Sequence, residues 1–306
     1  MLKRILTALA LLGLGIGLFD MPRSFVVVTL IIVVFGVLFE AARLTKVDID
    51  RVIRNLLLVF ICLPVWYTLI GRCMDYYHQF FGLVPFSGTG SIDWFTMIMG
   101  GSVLTGIFYS GIILGSVFWI LILFKLVQYQ RDPEAGFDFG FRSVFFQILL
   151  TVPAIMIVGY SKEIIIYFFV MVCCSDIGAL LVGKLCGLHK LASRISPNKT
   201  WEGAIGGTIS AMLTTAIVGY YLFHDPNWYK FTILALPVSC FAVVGDLFES
   251  VLKRKAGIKD SGKLLPGHGG IYDRVDSWIS ALPIYATAIV MMSEKVAPYD
   301  FVLSWI

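Results

Sequence analysis

The chain has 306 residues, of which 58% are hydrophobic and 14% charged, with a formal net charge of +4. Soluble globular proteins run at about 45–50% apolar and about 25% charged, and water could not solvate a globule with so few polar groups. Intrinsic disorder, a collagen-like fibre and a disulfide-stapled secreted scaffold are excluded by the same figures, which leave an all-α, polytopic integral membrane protein.

A bilayer core takes about 20 apolar residues per helix. Runs of that kind lie at 5–19, 24–39, 55–71, 102–124, 143–160, 164–183, 203–223, 231–250 and 277–293. The first is short and follows Lys3 and Arg4, as in a signal peptide. Asp20-Met21-Pro22-Arg23 makes a poor cleavage site, however, and we read the run as a retained helix. With the N-terminus inside, nine alternating spans put 19 of the 24 basic residues on the inner side, as the positive-inside rule requires. The stretch 72–101, with Tyr76, Tyr77, Phe80 and Phe81, then reads as an outer interfacial loop, and the active region faces the cytoplasm across an inner, multi-pass membrane. The six cysteines (Cys62, Cys73, Cys173, Cys174, Cys186, Cys240) show no metal-ligand spacing and read as small buried hydrophobes.

The two halves differ. Residues 1–160 carry no carboxylate within a predicted span and read as scaffold; residues 161–306 read as the catalytic region, with inner loops at 184–202 and 251–276. Asp176 sits inside the sixth span, where ionisable groups are expensive and mark functional sites, although a structural ion pair within the bundle would also explain it. Asp246, Glu249 and Ser250 follow near the inner end of the eighth span, on one helical face. Carboxylates so close repel unless a cation neutralises them, and oxygen ligands select a hard ion such as Mg²⁺. Glu249 reads equally well as snorkelling to the headgroups. Positive-inside topology alone would account for Lys190, Lys255 and Lys263, but not for cations mixed with Gly267, Gly269, Gly270, His268 and the acids Asp260, Asp273 and Asp276. Glycines admit phosphate oxygens close to backbone N–H groups, and Asp273 and Asp276 can hold a metal. The mixture suits phosphoryl or nucleotidyl transfer at the inner membrane surface.

These residues resemble a known family. Ser250-x-Leu252-Lys253-Arg254-x4-Lys259-Asp260-x-Gly262-x2-Leu265-Pro266-x-His268-Gly269-Gly270-Ile271-x-Asp273-Arg274-Val275-Asp276 reproduces the signature of the phosphatidate cytidylyltransferases, the CDP-diacylglycerol synthases. Ser196-Pro197-x-Lys199-Thr200-x-Glu202-Gly203 and Gly245-Asp246-Leu247-x-Glu249-Ser250 are similar to the same family. The resemblance is specific from about 173 to 285. Where the family carries Ser or Thr after the aspartate of the sixth span and Tyr three positions on, this chain has Ile177 and Leu180, which leaves open another lipid-phosphate acceptor.

The resemblance implies cytidylyl transfer from CTP to phosphatidate, with Asp246 as principal Mg²⁺ ligand and Asp176 and Asp273 as further ligands or as partners that support the ligands from behind. It also implies Lys199, Lys253, Arg254, Lys259 and Arg274 on phosphates, with Asp260 and Asp276 in the catalytic set. Ser196, Glu202, Ser250, His268, Gly269 and Gly270 would then contact substrate. A homodimer and a second, monovalent cation such as K⁺ are implied in the same way, and no nucleic-acid partner. Against this stands an ion-coupled transporter, for which Asp176 and Asp246 would be coupling-ion sites and CTP would not bind.

Overall fold

The computed structural model describes residues 23–47, 54, 94–132, 140–158, 162–223, 229–262 and 269–293. The spans expected at 5–19 and 55–71, and most of the loop 72–101, lie outside the described residues, as do Lys263 and His268. Helices α1 (Arg23–Thr45), α2 (Trp94–Arg131), α3 (Phe141–Val158) and α4 (Lys162–Cys186) are followed by a small antiparallel hairpin, β1 (Lys190–Ala192) and β2 (Ser196–Thr200). Then come α5 (Trp201–Phe223), the short α6 (Tyr229–Ile233), α7 (Ala235–Ala256) and α8 (Tyr272–Ser293). Among the described residues, Ser110–Arg131, Ile164–Cys186, Trp201–Tyr221 and Ala235–Ala256 are long and apolar enough to cross a membrane. The chain is a helical, multi-pass membrane protein, and the hairpin inside the loop 184–202 is its one described departure from all-α structure.

The helices exceed their apolar runs in ways that matter. The run 231–250 is divided at Leu234 into α6 and α7, and α7 continues to Ala256, where Gly257 at φ 71° stops it. The Gly257 and Ile258 N–H groups close that end on the carbonyls of Arg254 and Lys253. Pro283 in α8 has no N–H for the carbonyl of Ile279, and Thr151 of α3 supplies the missing donor at 3.1 Å. Ser116 of α2 donates to the Pro283 carbonyl at 2.9 Å. A backbone interrupted in lipid must find such partners within the protein.

Large apolar side chains such as Leu114, Phe124, Ile205, Leu213 and Ile217 remain exposed on the bundle, as lipid-facing residues do. Inside, one apolar cluster joins Leu38, Trp119, Val144, Phe248 and Tyr272, drawn from α1, α2, α3, α7 and α8. Trp119 and Phe248 meet edge to face with centroids 5.9 Å apart. A second cluster around Tyr167, Met171, Val238 and Tyr285 joins α4 to α7 and α8. Helices α4 and α5 pack through small residues. A Cβ on Gly178 would strike the Ser210 side chain, and one on Gly207 would lie 2.6 Å from the Ser175 carbonyl. Because that neighbour is backbone, Gly207→Val is expected to destabilise the protein by about 1–3 kcal/mol, the usual range for overpacking. Thermal unfolding in detergent would measure the shift.

The cysteines depart from expectation. Of the four described, Cys173 and Cys174 are half-buried and Cys186 and Cys240 exposed, all as free thiols. Positions on the outer face of an apolar helix look identical in sequence to core positions, and only packing separates them.

Candidate metal and phosphate site

The polar groups gather at one end of the bundle. The hairpin is tied to the end of α2 by Arg194, whose guanidinium donates to the Arg131 carbonyl at 3.1 Å, and to α7 by Arg254 Nε, which donates to the Ile195 carbonyl at 3.3 Å. At the start of α5, Thr200 Oγ1 accepts from the Gly203 N–H at 3.1 Å, a hydroxyl N-cap. Glu202 turns back to accept from the N–H groups of Leu188 and His189 and meets His189 Nδ1 at 2.6 Å. Its carboxylate therefore fastens the entry to the hairpin; the resemblance implies a substrate contact for the same residue. Ser196 begins β2, and the strand delivers Lys199, whose Nζ lies 2.5 Å from Asp246 Oδ2.

Asp246, Glu249 and Asp276 form the centre. One carboxylate oxygen from each lies within 4.8 Å of the others. Asp246 and Glu249 share a face of α7, and Asp276 comes from the second turn of α8, which packs closely because Gly245 has no side chain. A Cβ there would collide with the Asp276 carbonyl and the Ser280 hydroxyl. Glu249 is only 1% exposed, so its carboxylate is turned into the protein and does not snorkel to the headgroups. One of its oxygens meets Lys253 Nζ at 2.5 Å; the other, Oε1, is buried with no hydrogen-bond partner. An orphaned carboxylate oxygen beside two further carboxylates is a donor set for a hard divalent cation, and the residues fit such an ion. Ser250 Oγ lies 3.4 Å from Asp246 Oδ1 on the same face.

The other candidates divide into those that join this centre and those that hold its frame. Asp176 on α4 lies within electrostatic range of Lys199 and Asp246. Asp273 is fully engaged. Lys253 donates to its Oδ1 at 2.8 Å, and its Oδ2 accepts from Gly270 N at 2.8 Å and Ser261 N at 2.9 Å, with Ser261 Oγ 3.0 Å away. Asp273 thus ties Ser261 to Gly270 at the start of α8, and Lys253 bridges Asp273 to Glu249. Gly269, at φ 84°, also makes room for it, since a Cβ there would stand 2.6 Å from Asp273 Oδ2. Arg254, Lys259, Asp260 and Arg274 are exposed at this end. Ile177 and Leu180 are each 57% exposed, on the outer face of α4.

Glu249 was ambiguous in the sequence, and Glu40 carried no signal at all. Glu40 stands one residue beyond the apolar run 24–39, but α1 continues to Thr45 and carries its carboxylate into the protein at 1% exposure, against the start of α8.

A carboxylate trio flanked by two lysines, at the end of the bundle that also exposes Arg254, Lys259 and Arg274, would suit a divalent cation and phosphate groups. The chain belongs to the cytidylyltransferase family, whose model matches residues 2–292. It is 34% identical over 185 residues to a phosphatidate cytidylyltransferase of Haemophilus influenzae, covering 55% of this chain and 64% of that one. Proteins of the same name from Staphylococcus haemolyticus and Staphylococcus aureus are 42% and 46% identical, over 42% and 39% of this chain and 49% and 46% of their own. The matched stretch thus spans about half to two thirds of these relatives' length.

Proposed function

We propose that this protein transfers the cytidylyl group of CTP to phosphatidate, forming CDP-diacylglycerol and pyrophosphate. The observation that carries the reading is the trio Asp246, Glu249 and Asp276 with an unpartnered buried oxygen, set between Lys199 and Lys253. The names of the relatives support the same substrates. Phosphatidate is a phosphomonoester whose second pKa is about 6 by analogy with phosphoserine, so it is a competent nucleophile near neutral pH without a strong base. One of its phosphate oxygens bonds to the α-phosphorus of CTP as the bond from that phosphorus to the β-phosphate oxygen breaks.

The protein's task is positioning and charge neutralisation. Asp246, Glu249 and Asp276 would hold Mg²⁺, which when bound neutralises phosphate oxygens and draws charge toward the leaving pyrophosphate. Lys199 neutralises Asp246 in the structure, and its long, flexible stem lets it turn toward an incoming triphosphate. Lys253 holds Glu249 in place from the side facing Asp273. Arg254, Lys259 and Arg274 lie exposed around the rim, in reach of phosphates arriving from water or from the headgroup layer.

Nine spans with the site on the cytoplasmic side, a homodimer and a second, monovalent cation complete the proposal. The shared end of α1, α2, α7, α8 and the hairpin, together with the basic residues concentrated there, supports that threading. Equilibrium binding of CTP to the purified protein, with and without Mg²⁺, tests the reading against a transporter. Mg²⁺-dependent binding of CTP is expected; no binding of CTP in either condition would overturn it.

A further inference from the structure

Glu40 belongs to the N-terminal scaffold, yet its carboxylate lies against the loop and helix that carry the site. Its Oε1 accepts from Ile271 N at 3.0 Å, and its Oε2 accepts from Tyr272 N at 2.9 Å and from Ser261 Oγ at 2.9 Å. Burying a carboxylate is costly unless it is well bonded, and no ion pair to Glu40 is found among the described residues. The start of α8 supplies what a cation otherwise would. Its first N–H groups have no partner within the helix, and its dipole favours a negative charge there.

The signature glycines fit this carboxylate closely. A Cβ on Gly262 would collide with Glu40 Oε1, and one on Gly270 with Glu40 Oε2 and Ser261 Oγ. Two glycines of the signature are thus required, at least in part, to seat Glu40. Ser261 N donates to Asp273 Oδ2 at 2.9 Å, so Glu40 holds Ser261 by its hydroxyl and Asp273 holds the same residue by its backbone. The contacts run continuously from Glu40 through Ser261 to Asp273, then to Lys253 and to the ligand Glu249.

We infer that Glu40 is a positioning residue for the transfer reaction, which fixes the start of α8 and, through Ser261, Asp273 and Lys253, the carboxylates that receive the metal. The inference rests on the proposed function for its kinetic readout, and on the fold alone for a second readout.

Glu40→Gln tests it with almost no change in volume. A glutamine offers one acceptor oxygen where the site needs two, and its NH₂ faces a backbone N–H instead of accepting from it. The half-saturating Mg²⁺ concentration is expected to rise about tenfold, the scale of one charge-assisted hydrogen bond. A mere loss of folded protein would lower the maximal rate and leave that concentration unchanged. Without Mg²⁺ or CTP, amide hydrogen exchange across 269–273 is expected to quicken in the variant, which reports on Glu40 even if the wild type transfers nothing to phosphatidate. Should Glu40→Gln fail to fold, Ser261→Ala removes one link from the chain, and a smaller shift in the same two quantities is expected. Gly270→Ala, which keeps the carboxylate but fills its seat, should reproduce the rise. Unchanged Mg²⁺ dependence and unchanged exchange in Glu40→Gln, or in Ser261→Ala if that is the variant measured, would overturn the inference.

Discussion

Asp246→Asn is expected to reduce cytidylyl transfer by at least about 10²-fold, the scale of losing a charge-stabilising group from an active site. It should do so without unfolding the protein. The substitution deletes one charge from a trio of mutually repelling carboxylates, and the ion pair it sacrifices, with Lys199, is 35% exposed on the aspartate side and contributes little. An unchanged or slightly raised melting temperature together with lost turnover would place the effect in the chemistry. A marked fall in melting temperature alongside the lost activity would place it in the fold.

Lys253→Ala is expected to do the opposite and damage stability first. Lys253 is 16% exposed and holds Glu249, at 1%, and Asp273, at 10%, so its removal leaves two carboxylates in a low-dielectric site without their cation. Breaking a buried pair from one side costs about 3–5 kcal/mol. The companion test is Lys253→Met with Glu249→Leu, which replaces the buried pair by apolar groups of similar size. That double variant should regain most of the stability and none of the transfer activity, because it also removes one carboxylate of the trio proposed to hold the metal. Thermal unfolding and turnover on the same preparations would separate the two losses.

Much of the site is legible in the sequence because helical geometry is regular. Spacings of three and four are enough to place Asp246, Glu249 and Ser250 on one face. The approach of Asp276 to that face is a different matter, since it depends on α8 packing against Gly245 across a helix contact that no local spacing encodes. Asp273 illustrates the limit most clearly. Its spacing from Asp276 suits a shared metal, but its oxygens are taken by Lys253 and by N–H groups of Gly270 and Ser261, and backbone donors leave no trace in residue type.

The span pattern shows the same division. Apolar runs locate α1 through α5, α7 and α8 well, while their ends escape because helices continue for as long as backbone partners exist. Glu40 is hidden for that reason, at the start of a continuation that hydropathy treats as the end of a span. The hairpin 190–200 has few β-branched residues and is built instead on Glu202, Arg194 and the N-cap Thr200, each a long-range or capping contact.

On this protein, label at the α-phosphate of CTP is expected to move to lipid. The direct measurement incubates purified protein with phosphatidate, Mg²⁺ and CTP labelled at that phosphate, and follows the label into the organic phase, with EDTA and Asp246→Asn in parallel. Lipid-soluble label in an amount matching the pyrophosphate released, and absent from both controls, is the expected result. Label that stays in water while the protein binds CTP would contradict phosphatidate as the acceptor, and label that reaches lipid undiminished in EDTA would contradict the carboxylate trio as a metal site.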